Sequence, residues 1–111
     1  MKALGDVKGL SDVKFLRAMD AAQIPPALFG HREHLRLAFL ILRRDGADEG
    51  RLAIVRALRR YTTTYGIAHI FDEELTLRWI ERLLAAMAGH PEASTLDALL
   101  ASVPELAKSD G

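Results

Sequence analysis

The chain has 111 residues, of which 50% are hydrophobic, and this is enough for one domain with a core of its own. Fifteen basic and fifteen acidic residues give a formal net charge of zero, without the basic excess typical of nucleic-acid-binding domains. The chain has no cysteine, which excludes disulfides and thiolate metal sites, so a metal ion would need histidine and carboxylate ligands.

A single helical domain is predicted over residues 11–107, between a flexible lead-in over residues 1–10 and a frayed tail over residues 108–111. The start of the chain lacks the long apolar run of a signal peptide. No later stretch has the about 20 apolar residues that a bilayer span needs. We therefore expect a cytoplasmic protein that does not enter a membrane.

Five helices are predicted in chain order, and no segment has the pattern of a strand. The first covers about residues 11–22, because the Ser11 side chain can accept from the first-turn amides and apolar residues follow at helical spacing. Pro25 and Pro26 then stop this helix, since the residue before a proline avoids the helical conformation.

The second helix is predicted to be the central one. It follows Gly30, and Phe29 just before that cap is expected to pack onto its first turns. Arg36 is the only polar residue from position 35 to position 42, so this helix is apolar on nearly every side. Such a helix is buried by its neighbours when it is too short to cross a membrane. It is expected to end at Gly46.

The remaining helices are predicted at about residues 48–65 and 72–88, followed by a short one that starts at a capping-box sequence, Ser94–Asp97, and stops at Pro104. Gly66 is expected to end the third helix in a left-handed conformation. Short connections favour antiparallel neighbours. The predicted fold class is therefore all-α, a compact helical bundle of four main helices plus a short C-terminal helix.

Two histidines lie in the first turn of the central helix. His31 and His34 are three positions apart and share one face of that turn. This spacing suits two imidazole ligands of one metal ion. The positive end of the helix dipole favours their neutral form, which has a lone pair to donate.

A third metal ligand is expected from the region around the start of the fourth helix. Asp72 lies on the core-facing stripe of that helix with Thr76 and Trp79, and His69 and Glu73 are further candidates. The alternative is structural, since Asp72 is also a good helix N-cap and two histidines three apart occur by chance.

Two short motifs resemble a known pattern. The first, Phe-x-His-x-x-His-Leu/Val-x-x-Ala, is intact at residues 29–38, as Phe29, His31, His34, Leu35 and Ala38. The second, aromatic-His-x-x-x-Thr, appears at residues 71–76 with Asp72 where histidine is usual. The chain from Phe29 to about Met87 thereby resembles a family of small uncharacterised bacterial helical proteins. The resemblance implies a site shared by these polar positions, which looks like a metal site whose ion preference the carboxylate would shift.

The leading hypothesis is a small metalloprotein with a divalent ion such as Zn, Ni, Cu or Fe, bound by His31, His34 and Asp72. Glu33 and Thr76 are expected to support these ligands. Three protein ligands with an open position would permit hydrolytic or redox chemistry, and the sequence assigns no substrate, reaction or small-molecule ligand.

Two other function classes are compatible with the sequence. A non-catalytic protein–protein interaction module, forming a homodimer through a surplus apolar face, is the main alternative. A DNA-binding protein is the third, because residues 31–60 hold eight arginines against four acidic residues. Zero net charge and the lack of a recognition helix make nucleic-acid binding the least favoured of the three.

Overall fold

The computed structural model describes residues 7–108. Its helices are α1 Asp12–Asp20, α2 His31–Asp45, α3 Ala47–Thr64, α4 Glu73–Gly89 and α5 Leu96–Ser102. Short 3-10 turns lie at Pro26–Leu28, Ala68–Ile70 and Pro104–Ala107. The all-α prediction is confirmed over these residues, which contain no strand. The prediction of four main helices and a short one differs from the structure in α1, which is short. Three of the five helices, α2, α3 and α4, are long.

Helix α1 is shorter than predicted because the chain turns at Ala22 before the prolines are reached. Ala22 has a φ of 53°, in the left-handed region, and a helix cannot continue through that conformation. The Tyr65 hydroxyl, at the end of α3, donates to the Ala22 carbonyl. The Tyr61 hydroxyl donates to the Ile24 carbonyl over 2.6 Å, so α3 fixes this turn at two points.

Helix α2 is the centre of the bundle, as predicted. It contacts α3, α4 and α5. Because its neighbours surround it, its apolar side chains are buried on several faces of the helix. The buried residues are Leu35, Leu37, Ala38, Phe39, Ile41 and Leu42.

The helix starts follow the capping residues of the sequence. Ser11 accepts from the Lys14 amide, and Asp72 accepts from the Leu75 amide. At α5 the cap is Thr95, one residue later than the capping box predicted, because its hydroxyl accepts from the Ala98 amide at 3.1 Å. These side chains satisfy amides that have no partner inside the helix.

Helices α2 and α3 approach closely through a glycine. Gly46, with a φ of 84°, turns the chain between them. At Gly50, a Cβ atom would lie 2.7 Å from the Leu42 Cδ2 atom and 3.2 Å from the Leu42 Cα atom. Only glycine lets the two backbones come this near without a shift.

Arg36 anchors the segment that precedes α1. Its guanidinium donates to the carbonyls of Val7 and Leu10 and to the Asp12 carboxylate. Val7 is buried, with 6% of its surface exposed. Val7 and Leu10 of the predicted lead-in are therefore packed against the bundle, whereas residues 1–6 and residues 109–111 of the predicted tail lie outside the described part of the chain.

The basic stretch from residue 31 to residue 60 has acidic partners. Six of its eight arginines form ion pairs, which mostly lie on the surface and contribute little stability individually. These six are Arg32, Arg36, Arg44, Arg51, Arg59 and Arg60. Over residues 7–108, no helix is both long enough and apolar enough to cross a bilayer.

Candidate functional site

Helices α2, α3 and α4 enclose one side of a cavity of about 440 Å³, and the connection before α4 encloses another. Its walls are mainly aliphatic and aromatic. Four of its polar lining residues come from the first two turns of α2 and the start of α4: His31, His34, Asp72 and Thr76. A concave, largely apolar volume with a few polar groups is the usual form of a ligand site in proteins.

The position of His34 is fixed by the start of α2. The Gly30 amide donates to the Glu33 carboxylate at 2.9 Å, which closes the cap of the helix. The Gly30 carbonyl accepts both from the His34 amide, at 3.0 Å, and from the His34 Nδ1 atom, at 2.8 Å. Because a carbonyl can only accept, Nδ1 carries a proton, and the lone pair of the neutral ring lies on Nε2. Glu33 thus supports the site through the Gly30 backbone.

His31 is fixed by the C-terminal end of the chain. Its Nε2 atom donates to the Leu106 carbonyl at 2.8 Å, so in the neutral ring the lone pair lies on Nδ1. The Trp79 ring, on α4, packs edge-on against the imidazole with 4.7 Å between ring centroids. Two distant parts of the chain therefore hold this one histidine.

His34 is biased toward its neutral form. The pKa of His34 is lowered from its usual value of 6.5, mainly because burial penalises the charged ring, with a smaller contribution from nearby His31. The Phe29 ring lies 4.1 Å from the imidazole, centroid to centroid. His34 is nevertheless exposed to solvent in part, so crowding by neighbouring atoms, rather than enclosure in the core, explains the direction of the shift.

Asp72 caps α4 and also lines the cavity. Its Oδ1 atom accepts from the Leu75 amide at 3.0 Å, as the N-cap of α4. Its carbonyl accepts from the Thr76 hydroxyl at 2.9 Å. The carboxylate oxygen Oδ2 takes no part in the cap. Thr76 therefore contacts the backbone of Asp72 and not its carboxylate, and its predicted support of a metal ligand stays a prediction.

The other two predicted ligands lie elsewhere. His69 is exposed on the 3-10 turn Ala68–Ile70, and it is not among the residues that line the cavity. Glu73 also lies outside the lining and forms an exposed ion pair with Arg59 of α3. Of the five candidate ligands, the structure thus brings His31, His34 and Asp72 to one cavity.

These three side chains do not form a preassembled metal centre. Over residues 7–108, no group of three or more histidine, aspartate or glutamate side chains is arranged closely enough to hold a metal ion. The two imidazoles are oriented by their backbone contacts, while the Asp72 carboxylate faces its own helix cap. A third protein ligand at the histidines requires the Asp72 side chain to turn.

Aromatic rings form much of the cavity wall. Phe29, Phe71 and Trp79 line it together with Tyr61, whose ring lies 4.9 Å from that of Phe29. Burial raises the pKa of Tyr61 to about 12, so its hydroxyl stays protonated and keeps donating to the Ile24 carbonyl at neutral pH. The rings therefore present apolar faces and edges to the cavity.

The apolar cavity was not predicted from the sequence. The signal lay in the connection over residues 66–71, between the third and fourth predicted helices, in which Ile67, Ile70 and Phe71 are large and apolar. All three line the cavity. The contact between His31 and Leu106 had no sequence signal, because a main-chain carbonyl is the same in every residue.

The sequence and the fold were compared with known proteins. No family model matches the chain, and neither a curated protein nor a solved structure matches it. The resemblance drawn from the two short motifs therefore rests on those residues alone. What the site does has to be argued from its own geometry.

Proposed function

We propose that His31 and His34 bind a divalent metal ion at the start of α2. The observation that carries this proposal is the same for both rings. Each imidazole donates from one nitrogen to a backbone carbonyl, of Leu106 or of Gly30, and keeps a lone pair on the other. Metal-binding histidines are commonly oriented by such a contact, which fixes the tautomer and the ring plane.

The electrostatics of the site also favour a metal ion. A metal competes with a proton for the imidazole lone pair, so a lowered pKa of His34 leaves more of the ring able to bind near neutral pH. The two rings are on one helical turn and line the same cavity.

Asp72 is proposed as the third ligand, through a rotation that brings its carboxylate to the histidines. Thr76 would keep the Asp72 backbone in place during this change, since it binds the carbonyl rather than the carboxylate. Two imidazoles and one carboxylate suit Zn, Ni, Cu or Fe better than Mg or Ca, which prefer oxygen ligands. When bound with an open position, such an ion supplies Lewis-acid chemistry.

Thermal unfolding of chelator-treated protein tests the proposal. Each of the four ions is added in turn, and an ion present at about 100 times its dissociation constant stabilises the folded state by about 2.7 kcal/mol. We expect a rise in Tm with at least one ion. The rise is lost in the variant His31→Gln/His34→Gln and kept in His69→Gln/His90→Gln, which changes two histidines outside the cavity. No rise with any ion, or equal rises in both variants, would overturn the proposal.

A homodimer is the second candidate, because apolar side chains are exposed beside the cavity. Ile70 is 62% exposed and Leu75 is 39% exposed, and both line the cavity. A second copy could cover them. Sedimentation at increasing protein concentration tests this, with Ile70→Ser as the variant and Val13→Ser, on the exposed side of α1, as its control. A monomeric mass at all concentrations would exclude the dimer.

A further inference from the structure

We infer that the cavity between α2, α3 and α4 binds a small, neutral aromatic molecule that carries a hydroxyl group. The inference goes beyond the metal proposal, because the apolar part of the cavity is far larger than a metal ion needs. It rests on the volume, the lining and the charge of the cavity, and on the lone pairs of the two histidines.

The volume sets the size of the molecule. A cavity of about 150 Å³ lined by aliphatic and aromatic side chains is enough to bind benzene. The cavity described here, at about 440 Å³, has room for a ring with substituents or for two fused rings. It also lies in the range of about 300 to 1,000 Å³ that is typical of small-molecule sites.

The lining sets the class of molecule. Four aromatic rings contribute to the wall, from Phe29, Tyr61, Phe71 and Trp79. Aromatic side chains favour ring-shaped partners, because rings stack with an offset or meet edge to face. Ile54, Leu58 and Leu83 give further apolar surface with no polar side-chain atom to satisfy.

The charge of the cavity disfavours an anion. Among the described residues that line it, none is lysine or arginine, and Asp72 is the one carboxylate. Arg59 lies over the Phe71 ring and Arg82 over the Trp79 ring, but neither side chain is part of the lining. In the metal-free protein, an anionic ligand would lose its hydration and find no lysine or arginine in the lining in exchange.

The histidines set the functional group. His34 keeps the lone pair of Nε2, and His31 keeps that of Nδ1, because the other nitrogen of each ring donates to a carbonyl. A ligand hydroxyl can donate to such a lone pair, and the same oxygen can bind a metal ion held by the imidazoles. The hydroxyl is therefore favoured with or without the metal.

Trp79 provides the measurement. It is the one tryptophan of the chain, and it lines the cavity, so its fluorescence reports on this site directly. The protein is excited at the red edge of indole absorption, where simple phenols do not absorb. It is titrated with para-ethylphenol, with ethylbenzene, which lacks the hydroxyl, and with para-ethylbenzoate, which is an anion. Each titration is run after chelator treatment and again with Zn added.

We expect a saturable change in Trp79 emission with one para-ethylphenol per chain. Ethylbenzene is expected to bind about five- to tenfold more weakly, since it makes no hydrogen bond. In chelator-treated protein the benzoate is expected to bind more weakly still. Benzoate binding as tight as phenol binding in chelator-treated protein, or no saturation with para-ethylphenol at millimolar concentration under either condition, would overturn the inference.

Two variants locate the bound molecule. Thr76→Phe places a bulky ring in the cavity wall and is expected to abolish binding, whereas Thr63→Phe, on an exposed position of α3, is expected to leave it unchanged. Far-ultraviolet circular dichroism confirms that each variant is folded. His31→Ala/His34→Ala removes both lone pairs and is expected to bring the affinity for para-ethylphenol down to that for ethylbenzene. Unchanged binding in folded Thr76→Phe would contradict the location.

The two proposals fail separately in this experiment. Phenol binding in chelator-treated protein that shows no rise in Tm with any of the four ions would remove the metal and keep the ligand site. A Zn-induced rise in Tm without phenol binding, either after chelator treatment or with Zn added, would remove the ligand site and keep the metal.

Discussion

His31 and Leu106 are 75 positions apart in the chain, and the imidazole of the first donates to the carbonyl of the second over 2.8 Å. Leu106 is 5% exposed, so its buried side chain keeps that carbonyl in place. The end of the described chain therefore belongs to the site, although it contributes no side chain to the cavity. A ring held in this way has one tautomer and one orientation.

Removal of the segment from Pro104 to the end of the chain is expected to affect both stability and metal binding. Losing one buried leucine typically costs about 2 kcal/mol or more. Loss of the contact that orients a metal-binding histidine typically lowers metal affinity about 10- to 100-fold. Urea unfolding and metal titration measure the two effects. A chain that lacks only residues 109–111 keeps Leu106, and equal effects in both truncations would contradict this role.

Protonation of His34 is expected to make stability depend on pH. The pKa of His34 is lower in the folded state than its usual value of 6.5, so the unfolded chain binds more protons over the interval between the two values. The contribution of the neutral His34 ring to the free energy of unfolding is therefore complete above pH 6.5. It is lost as the pH falls through that interval.

Urea unfolding at a series of pH values from neutral to mildly acidic tests this dependence. In His34→Gln the acid loss of stability is expected to be smaller than in the unmodified protein. His69→Gln, which changes an exposed histidine, is the control. A profile in His34→Gln with the same slope as the unmodified protein would show that His34 does not contribute.

The two duties of Asp72 can be separated by substitution. Serine caps a helix about as well as aspartate, so Asp72→Ser is expected to change the free energy of unfolding by less than about 0.5 kcal/mol. It removes the carboxylate, and metal affinity is expected to fall. Asp72→Ala loses both functions, and the cap alone is worth about 1 kcal/mol. Unchanged metal affinity in Asp72→Ser would limit Asp72 to capping.

The close approach of α2 and α3 predicts the effect of a methyl group at Gly50. Alanine favours a helix by about 0.5 to 1 kcal/mol over glycine, but overpacking a core typically costs about 1 to 3 kcal/mol. Leu42 is 3% exposed and its backbone is also close, so it cannot move aside easily. We expect Gly50→Ala to lower the free energy of unfolding.

Gly89→Ala is the matched control for this substitution. A Cβ atom at Gly89 would meet no other atom within 4 Å, so only the helix preference changes there. Denaturant unfolding of both variants gives the comparison. If Gly50→Ala were as stable as Gly89→Ala, the contact between α2 and α3 would be more tolerant than the geometry indicates.

The helices could be predicted from the sequence because their signals are local. Ser11 and Asp72 satisfy amides three residues away, and Gly66, with a φ of 70°, follows the end of α3. The burial of α2 could also be predicted, because a run of apolar residues with one arginine has to be covered on several sides.

The cavity could not be predicted, because it depends on how distant elements pack. Ile67 and Phe71 carry no sign of the space that they border until α4 is placed against α2. For the same reason, the sequence could not show which candidate ligands reach the cavity. Glu73 forms an ion pair with Arg59, whereas His69 lies exposed on a 3-10 turn that has no signal in the sequence.

The metal content of the folded protein tests the central proposal most directly. Untagged protein and the variant His31→Gln/His34→Gln are dialysed together against one mixture of Zn, Ni, Cu and Fe in slight molar excess over the protein, and each is then measured by elemental analysis. A site at these histidines predicts close to one ion per chain in the unmodified protein and a small fraction of that in a variant of equal helix content. Equal metal in both proteins, or none in either, would contradict it.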